Sequence, residues 1–146
     1  MTTPTTDHRL DAGLDTGLDV RALFERYAAA WAARDPDAIV ALHSPDTQFW
    51  MHLDAEPARG RDAVRAAFAD VFAQWPEFGF EVYRVLVGAD HWVLDWALTA
   101  VLTDPDGTRR PVRFDCLDVV TIDQAGLVLR KDVFVDSAQV EKVLAG

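Results

Sequence analysis

Two residues near the end of the chain, Asp118 and Lys131, are the best placed to do acid–base chemistry. They lie on two predicted strands, Val112–Ile122 and Leu127–Val135, which flank the loop Asp123–Gly126. A four-residue loop of this kind is usually built on a type I turn, after which the glycine takes a positive φ. The pattern therefore predicts a β-hairpin that brings the two charged side chains together.

Pairing Ile122 with Leu127 gives a register in which Asp118 lies directly opposite Lys131. Because side chains alternate across a strand, one face of this hairpin can be read from the register. It consists of Phe114, Cys116, Asp118, Val120, Ile122, Leu127, Leu129, Lys131, Val133 and Val135. The opposite face carries several charged side chains, so the Asp118 face is predicted to be the inner one.

A carboxylate and an ammonium group inside an apolar face are costly unless they pair or serve a function. Two interpretations stay open, a structural pair that maintains the register and a functional site, since perturbed groups cluster at sites without being confined to them. Burial would raise the pKa of Asp118, whereas a charged Lys131 would lower it. The residues alone do not decide which effect is larger.

A further polar group, Tyr27, lies in the apolar stripe of the first predicted helix, which begins after the N-cap Asp19 and runs to about Ala33. The stripe consists of Val20, Phe24, Tyr27 and Trp31, at the spacing of one helix face. A buried tyrosine hydroxyl needs a hydrogen-bond partner. Tyr27 is either a core residue bonded to a carbonyl or a polar group of a pocket.

The rest of the chain predicts helices packed on one face of a curved antiparallel sheet, which is an α+β architecture. The further helices are Asp37–His43, Arg61–Trp75 and Ala138–Leu144, and the further strands are Thr47–Leu53, Phe80–Val87 and Trp92–Thr103. A curved sheet rarely closes completely on its helices, so an apolar pocket is expected between them. Its expected substrate-binding residues are Trp31, Phe49, Met51, Phe68, Trp96, Leu98, Phe114, Cys116 and Val133.

Composition narrows the possible partners. The chain has 146 residues, of which 50% are hydrophobic, and a net charge of −10, which argues against nucleic acid and anionic membranes. The single Cys116 permits no internal disulfide and suits a reducing cytoplasm. No signal peptide or membrane span is predicted, and the histidines lack metal-ligand spacing. We expect a cytoplasmic protein without metal or organic cofactor, with a flexible arm over residues 1–18 and a single domain over 19–146.

Several stretches resemble the nuclear transport factor two-like superfamily, in its branch of SnoaL-like polyketide cyclases and ketosteroid isomerases. The resemblance runs from Val20 to Gly146 and rests on Arg26-Tyr27, Arg34–Leu42, Gly60–Val64 and Leu117–Val120. It implies a cone-shaped fold in which a curved antiparallel sheet wraps around three N-terminal helices and encloses an apolar pocket. The superfamily includes many chemistries as well as non-catalytic binders.

Individual positions can be compared with the relatives. Tyr27 falls where ketosteroid isomerases place the tyrosine that donates to the substrate oxyanion, and Asp118 falls where they place a second donor, a protonated carboxylic acid. Their general base would fall at Met51, which cannot take a proton, and His52 or Asp54 could substitute only by turning inward. The resemblance to SnoaL-like cyclases implies instead that one aspartate, Asp118, acts as the acid or base.

Limonene epoxide hydrolases also belong to the superfamily and use an Asp-Arg-Asp set. Two of these positions would fall near Leu98 and Ala100, which argues against that mechanism. Asp95 and Asp132 are near relevant positions, but the alternation of side chains along their strands directs both to the opposite face. An epoxide hydrolase or a dehydratase is therefore less favoured.

The first hypothesis is an acid–base enzyme, a cyclase or isomerase that acts on a hydrophobic, carbonyl-containing small molecule such as a polyketide or steroid. Its predicted catalytic residues are Asp118, Tyr27, Lys131 and His52. The alternatives are a non-catalytic ligand-binding module and a dimerisation module of the same fold. A homodimer through the outer sheet face is compatible with each of them, because that face carries apolar side chains at Leu117, Val119, Val128 and Phe134.

Overall fold

The computed structural model describes residues 17–146, so the predicted arm lies outside the described residues except for its last two positions. The helices are α1 (Val20–Ala32), α2 (Pro36–Val40), α3 (Arg61–Gln74) and α4 (Ser137–Ala145). The strands are β1 (His43–Met51), β2 (Ala58–Arg59), β3 (Gly79–Val87), β4 (His91–Thr103), β5 (Arg109–Ile122) and β6 (Val128–Val135). This order confirms the predicted α+β class.

Helices α1, α2 and α4 each begin after a capping aspartate. The carboxylate of Asp19 accepts a hydrogen bond from the backbone N–H of Ala22, and Asp35 caps α2 in the same way. Such side chains satisfy N–H groups that have no partner within the helix. The prediction for α2 was wrong at its end, because His43 already pairs with Val128 and begins a strand.

The strands form one unclosed six-stranded sheet in the order β2-β1-β6-β5-β4-β3. Strands β1 and β6 are parallel, and every other neighbouring pair is antiparallel. Helices α1 and α3 supply aromatic side chains that contact the inner face of the sheet. Trp31 of α1 packs edge-on against Phe68 of α3, and Phe68 packs against Phe49 of β1. The result is a two-layer molecule whose core lies between the helices and the concave face.

The final hairpin has the predicted loop but not the predicted register. Gly126 has a φ of +83°, as the turn requires. However, Asp118 pairs with Val133 and Lys131 with Val120, two residues away from the expected pairing. Two features cause this shift. At the loop, Ile122 pairs with Val128 instead of Leu127, and a β-bulge then leaves Leu129 as an extra residue, because Thr121 pairs with Arg130.

The one-residue shift at the loop changes which residues of β6 face inward between the loop and the bulge, and the bulge restores the predicted alternation beyond it. Leu129, expected on the inner face, is 38% exposed, and Val128, expected on the outer face, is 2% exposed. Beyond the bulge the pairing differs from the prediction by two residues, which preserves the alternation of side chains. Asp118 and Lys131 therefore remain on the inner face, as diagonal rather than directly opposed neighbours.

Candidate active site

An apolar pocket opens between α1 and the inner face of the sheet. Its walls are formed by Phe24, Tyr27, Ala28, Trp31, Phe49, Met51, Val71, Phe78, Phe80, Trp92, Leu94, Trp96, Leu98, Phe114, Cys116, Asp118, Lys131, Val133 and Val135. The empty space among them, including the part that opens to solvent, is about 630 Å³.

Asp118 provides the carboxylate of this pocket. It lies on β5 with 2% of its surface exposed. Its Oδ1 accepts a hydrogen bond of 2.8 Å from the indole N–H of Trp96, and its Oδ2 is 3.2 Å from Nζ of Lys131. Burial raises the pKa of Asp118, although the Lys131 ammonium and the Trp96 N–H both oppose that rise. The carboxylate is thus a stronger base than an exposed aspartate.

Lys131 is equally buried, with 5% of its surface exposed. Its Nζ lies 4.8 Å from the ring centre of Tyr27 and 4.6 Å from that of Trp31, which are cation–π distances. Burial opposes the charge of the Lys131 ammonium, but its interactions with Tyr27 and Asp118, including hydrogen bonds to both, outweigh burial and raise its pKa. Lys131 therefore stays protonated, held between two aromatic rings and a carboxylate.

Tyr27 contacts a histidine rather than a carbonyl. Its Oη lies 2.9 Å from Nε2 of His43, and Nδ1 of His43 lies 2.7 Å from Oγ1 of Thr47. Burial raises the pKa of Tyr27, so its hydroxyl is neutral. Burial, together with the charges of Lys131 and Arg61, lowers the pKa of His43 to about 3, so its imidazole is neutral too.

His43 was missed by the sequence analysis, which placed it at the end of a helix and gave it no function. The only available signal was that a buried tyrosine needs a partner. The contact joins α1 to β1 across 16 residues, and no local pattern encodes such a pairing. Trp31 offers a second feature invisible in the sequence, because its buried indole N–H has no hydrogen-bond partner among residues 17–146.

Most of the predicted pocket residues lie on its wall. These are Trp31, Phe49, Met51, Trp96, Leu98, Phe114, Cys116 and Val133, whose role in substrate binding stays a prediction. Phe68 was placed incorrectly. It is fully buried behind the wall, packed between Trp31 and Phe49, and supports the pocket without lining it.

His52 was also placed incorrectly as a candidate catalytic residue. It lies outside the pocket, stacked between Trp50 and Phe134, with its Nε2 2.8 Å from Oδ1 of Asp132. The alternation of side chains explains this position, because Met51 points into the pocket and its neighbour must point away. Asp132 also binds Arg130 there, so neither group reaches the inner face.

Asp54 and Asp95, the other carboxylates considered, do not line the pocket either. Asp54 lies in the loop after β1, where its backbone oxygen accepts from the Trp50 indole. Asp95 is bound by Arg84 on the outer side of the sheet. Asp118 is consequently the one carboxylate on the wall of this pocket in the part of the chain that the structure describes.

Other chemistries have less support at this site. Burial raises the pKa of the Cys116 thiol, which makes it a poor nucleophile. Among residues 17–146, no group of three or more histidine, cysteine or acidic side chains is arranged to hold a metal ion. None of the helices in that range is long and apolar enough to cross a membrane.

Comparison with known proteins agrees with this architecture. The model of the SnoaL-like domain matches residues 24–131, so this chain belongs to the SnoaL-like family within the nuclear transport factor two-like superfamily. No curated protein shows significant similarity to the chain. Many solved structures share the fold.

Three of these structures illustrate the range of the family. The first is SalBIII, an epoxide hydrolase/cyclase-like enzyme of pyran ring formation in the polyether salinomycin. It is 21% identical to this chain with a TM-score of 0.69, and the match covers 82% of this chain and 92% of SalBIII. A protein from Jannaschia sp. CCS1, assigned as a SnoaL-like polyketide cyclase, is 21% identical with a TM-score of 0.71 over 84% and 88%. Another with that assignment, from Shewanella putrefaciens CN-32, is 13% identical with a TM-score of 0.75 over 93% of each chain. At these identities the likeness establishes the fold alone.

Proposed function

We propose that this protein is an acid–base enzyme that acts on a hydrophobic carbonyl compound, as a cyclase or isomerase of a polyketide-like or steroid-like substrate. The observation that carries the proposal is the Asp118–Lys131 ion pair on the wall of an otherwise apolar pocket. A buried carboxylate with a raised pKa is the type of group that general bases require. The proposed chemistry needs only the side chains of the pocket.

The charges of the pocket suit the formation of an enolate. Asp118 takes a proton from the carbon next to the substrate carbonyl, and the electron pair of that C–H bond moves to the carbonyl oxygen. The negative charge thereby passes from the carboxylate to the enolate oxygen while the Lys131 ammonium remains beside it. Because the walls of the pocket are largely apolar, this ammonium group stabilises the new anion more than it would in solution.

The same intermediate serves either reaction. In an isomerisation, Asp118 returns the proton to a different carbon of the conjugated enolate. In a cyclisation, the enolate carbon attacks a second carbonyl group of the same molecule, and the alkoxide that forms takes the proton back from Asp118. Tyr27 donates a hydrogen bond to the oxyanion in both cases, and it stays neutral because its pKa is raised.

The walls indicate the kind of molecule that enters. They are largely aromatic and aliphatic. A hydrophobic conjugated or polycyclic ligand fits such walls better than a charged one. The unpartnered indole N–H of Trp31 also favours a ligand that presents an acceptor oxygen on this wall, since a buried donor without a partner costs about 1–3 kcal/mol.

The relatives add independent support to a cyclase. SalBIII takes part in pyran ring formation, and several other proteins of the same fold are assigned as polyketide cyclases. An epoxide hydrolase of the limonene type is less favoured here, because Leu98 and Ala100 are apolar where its charged residues would fall. The main alternative is a non-catalytic module that binds the same class of ligand.

Hydrogen exchange separates the enzyme from the binding module. The protein is incubated in D₂O with a panel of flat ketones and 1,3-diketones, and loss of the α-hydrogen signal is followed by proton NMR. An enzyme is expected to accelerate exchange of at least one panel member, because enolate formation alone suffices for exchange. Binding detected by ligand NMR without accelerated exchange of any member would favour the non-catalytic module.

We also propose a homodimer through the outer face of the sheet. Leu117 and Phe134 on that face are exposed apolar side chains, whereas Val128, expected to join them, is buried on the inner side. A second copy of the chain would remove these side chains from water. Sedimentation equilibrium is expected to give twice the mass of one chain, and a single species at the monomer mass would contradict the dimer.

A further inference from the structure

We propose that Thr47 and His43 position Tyr27, because they determine the direction in which its hydroxyl donates. The three side chains form a chain of contacts from β1 to the pocket, with Thr47 Oγ1 2.7 Å from His43 Nδ1 and His43 Nε2 2.9 Å from Tyr27 Oη. Thr47 and His43 are both fully buried, whereas Tyr27 lines the pocket. The inference rests on the proposed role of Tyr27 as a donor to a ligand oxygen.

The direction of the chain follows from counting donors. A neutral imidazole has one N–H and one acceptor nitrogen, so His43 either donates to Thr47 and accepts from Tyr27 or does the reverse. The low pKa of His43 keeps it in this neutral form. Two opposite arrangements of the three hydrogens are therefore possible.

The Thr47 hydroxyl distinguishes between them. Among the described residues, the contact with His43 Nδ1 is the one hydrogen bond of Thr47 Oγ1. If Nδ1 carried the hydrogen, the hydroxyl hydrogen of Thr47 would be buried without an acceptor, which costs as much as a lost hydrogen bond. Thr47 therefore donates to Nδ1, and the imidazole hydrogen is on Nε2.

This arrangement directs the hydrogen of Tyr27 toward the pocket. Nε2–H of His43 donates to Tyr27 Oη, so the hydroxyl hydrogen of Tyr27 is left for another acceptor. Tyr27 is the member of the three that lines the pocket, where a ligand oxygen or water can accept that hydrogen. The guanidinium group of Arg61 holds the backbone of His43 through two hydrogen bonds to its carbonyl oxygen, at 3.0 and 2.8 Å.

The ring tautomer is measured directly on the free protein. Long-range ¹H–¹⁵N correlation spectra of the labelled protein are expected to show His43 as the Nε2–H tautomer, assigned by comparison with His43→Gln. Thr47→Val removes the donor to Nδ1 at nearly constant shape and is expected to give a mixture of tautomers, whereas Thr47→Ser keeps the wild-type pattern. A hydrogen on Nδ1 in the wild type, or an unchanged tautomer in a folded Thr47→Val variant, would overturn the inference.

Binding of 4-nitrophenol tests whether the Tyr27 hydroxyl donates to a ligand oxyanion. The binding can be followed by absorbance, because the phenolate absorbs visible light. Thr47→Val is expected to weaken binding of the phenolate about tenfold, the equivalent of one charge-assisted hydrogen bond. His43→Gln, which keeps an N–H near the position of Nε2, is expected to bind more tightly than His43→Asn, which does not. Equal affinity of the wild type and folded Thr47→Val would count against the positioning role.

The outcomes separate this inference from the proposed function. The tautomer measurement decides the inference without any ligand or turnover. A wild type with the Nε2–H tautomer that neither binds 4-nitrophenol nor accelerates α-hydrogen exchange would contradict the proposed function and leave the donor chain established.

Discussion

Replacing Asp118 with asparagine is expected to lower turnover about 10²- to 10⁴-fold, the range associated with loss of a general acid or base. The amide has nearly the shape of the carboxylate and can still accept from the Trp96 indole, but it cannot take a proton from carbon. The loss should therefore appear in the chemical step. Steady-state kinetics, or α-hydrogen exchange rates, measure it, and affinity for the unreacted ligand should change much less.

Two variants control for effects on the fold. Asp132→Asn makes the same chemical change on a carboxylate outside the pocket, and His52→Ala removes its partner there. Both are expected to keep the rate of the wild type. If Asp118→Asn is folded, binds ligand and exchanges the α-hydrogen at the wild-type rate, Asp118 is not the base and the ion pair has a structural role.

Replacing Lys131 with methionine is expected to lower the free energy of unfolding by about 3–5 kcal/mol at neutral pH. The substitution keeps much of the apolar volume between the rings of Tyr27 and Trp31 but removes the counter-charge of Asp118. An unpaired buried carboxylate is strongly disfavoured, so the pKa of Asp118 should rise further above its already raised value. Chemical denaturation measures the stability, and carboxyl ¹³C NMR titration of Asp118 measures the pKa.

The pH dependence has a definite sign. When the pKa of an aspartate is higher in the folded than in the unfolded protein, the folded state binds more protons over the interval between the two values. The stability of Lys131→Met should therefore increase as the pH falls through the raised pKa of Asp118. The increase should end near the pKa of an ordinary aspartate. In the wild type, the raised pKa of Lys131 contributes stability at pH values below the pKa of an ordinary lysine. This stability is lost as the pH rises through the raised pKa of Lys131.

The double variant Asp118→Asn/Lys131→Met provides the matched control. It removes both charges, so it is expected to be more stable at neutral pH than Lys131→Met alone. Equal stability of Lys131→Met and the wild type at neutral pH would mean that Asp118 is already protonated in the wild type. In that case Asp118 would act as a hydrogen-bond donor instead of a base.

Much of the pocket could be predicted because it depends on local periodicity. The helical spacing of Tyr27 and Trp31 places both on the inward side of α1, where the structure has them. The alternation along β5 and β6 places Asp118 and Lys131 on one face, and this remained true although the pairing moved by two residues. Each of these results follows from backbone geometry within one element.

The tertiary structure decided what depends on contacts between elements. The pairing of Ile122 with Val128 and a bulge at Leu129 together made the ion pair diagonal, and the packing of α3 placed Phe68 behind the pocket wall. The partner of Tyr27 was set by the approach of α1 to β1, which brought His43 to the hydroxyl. Periodicity determines which way a side chain points, but its partner depends on the relative placement of distant segments, which no local pattern contains.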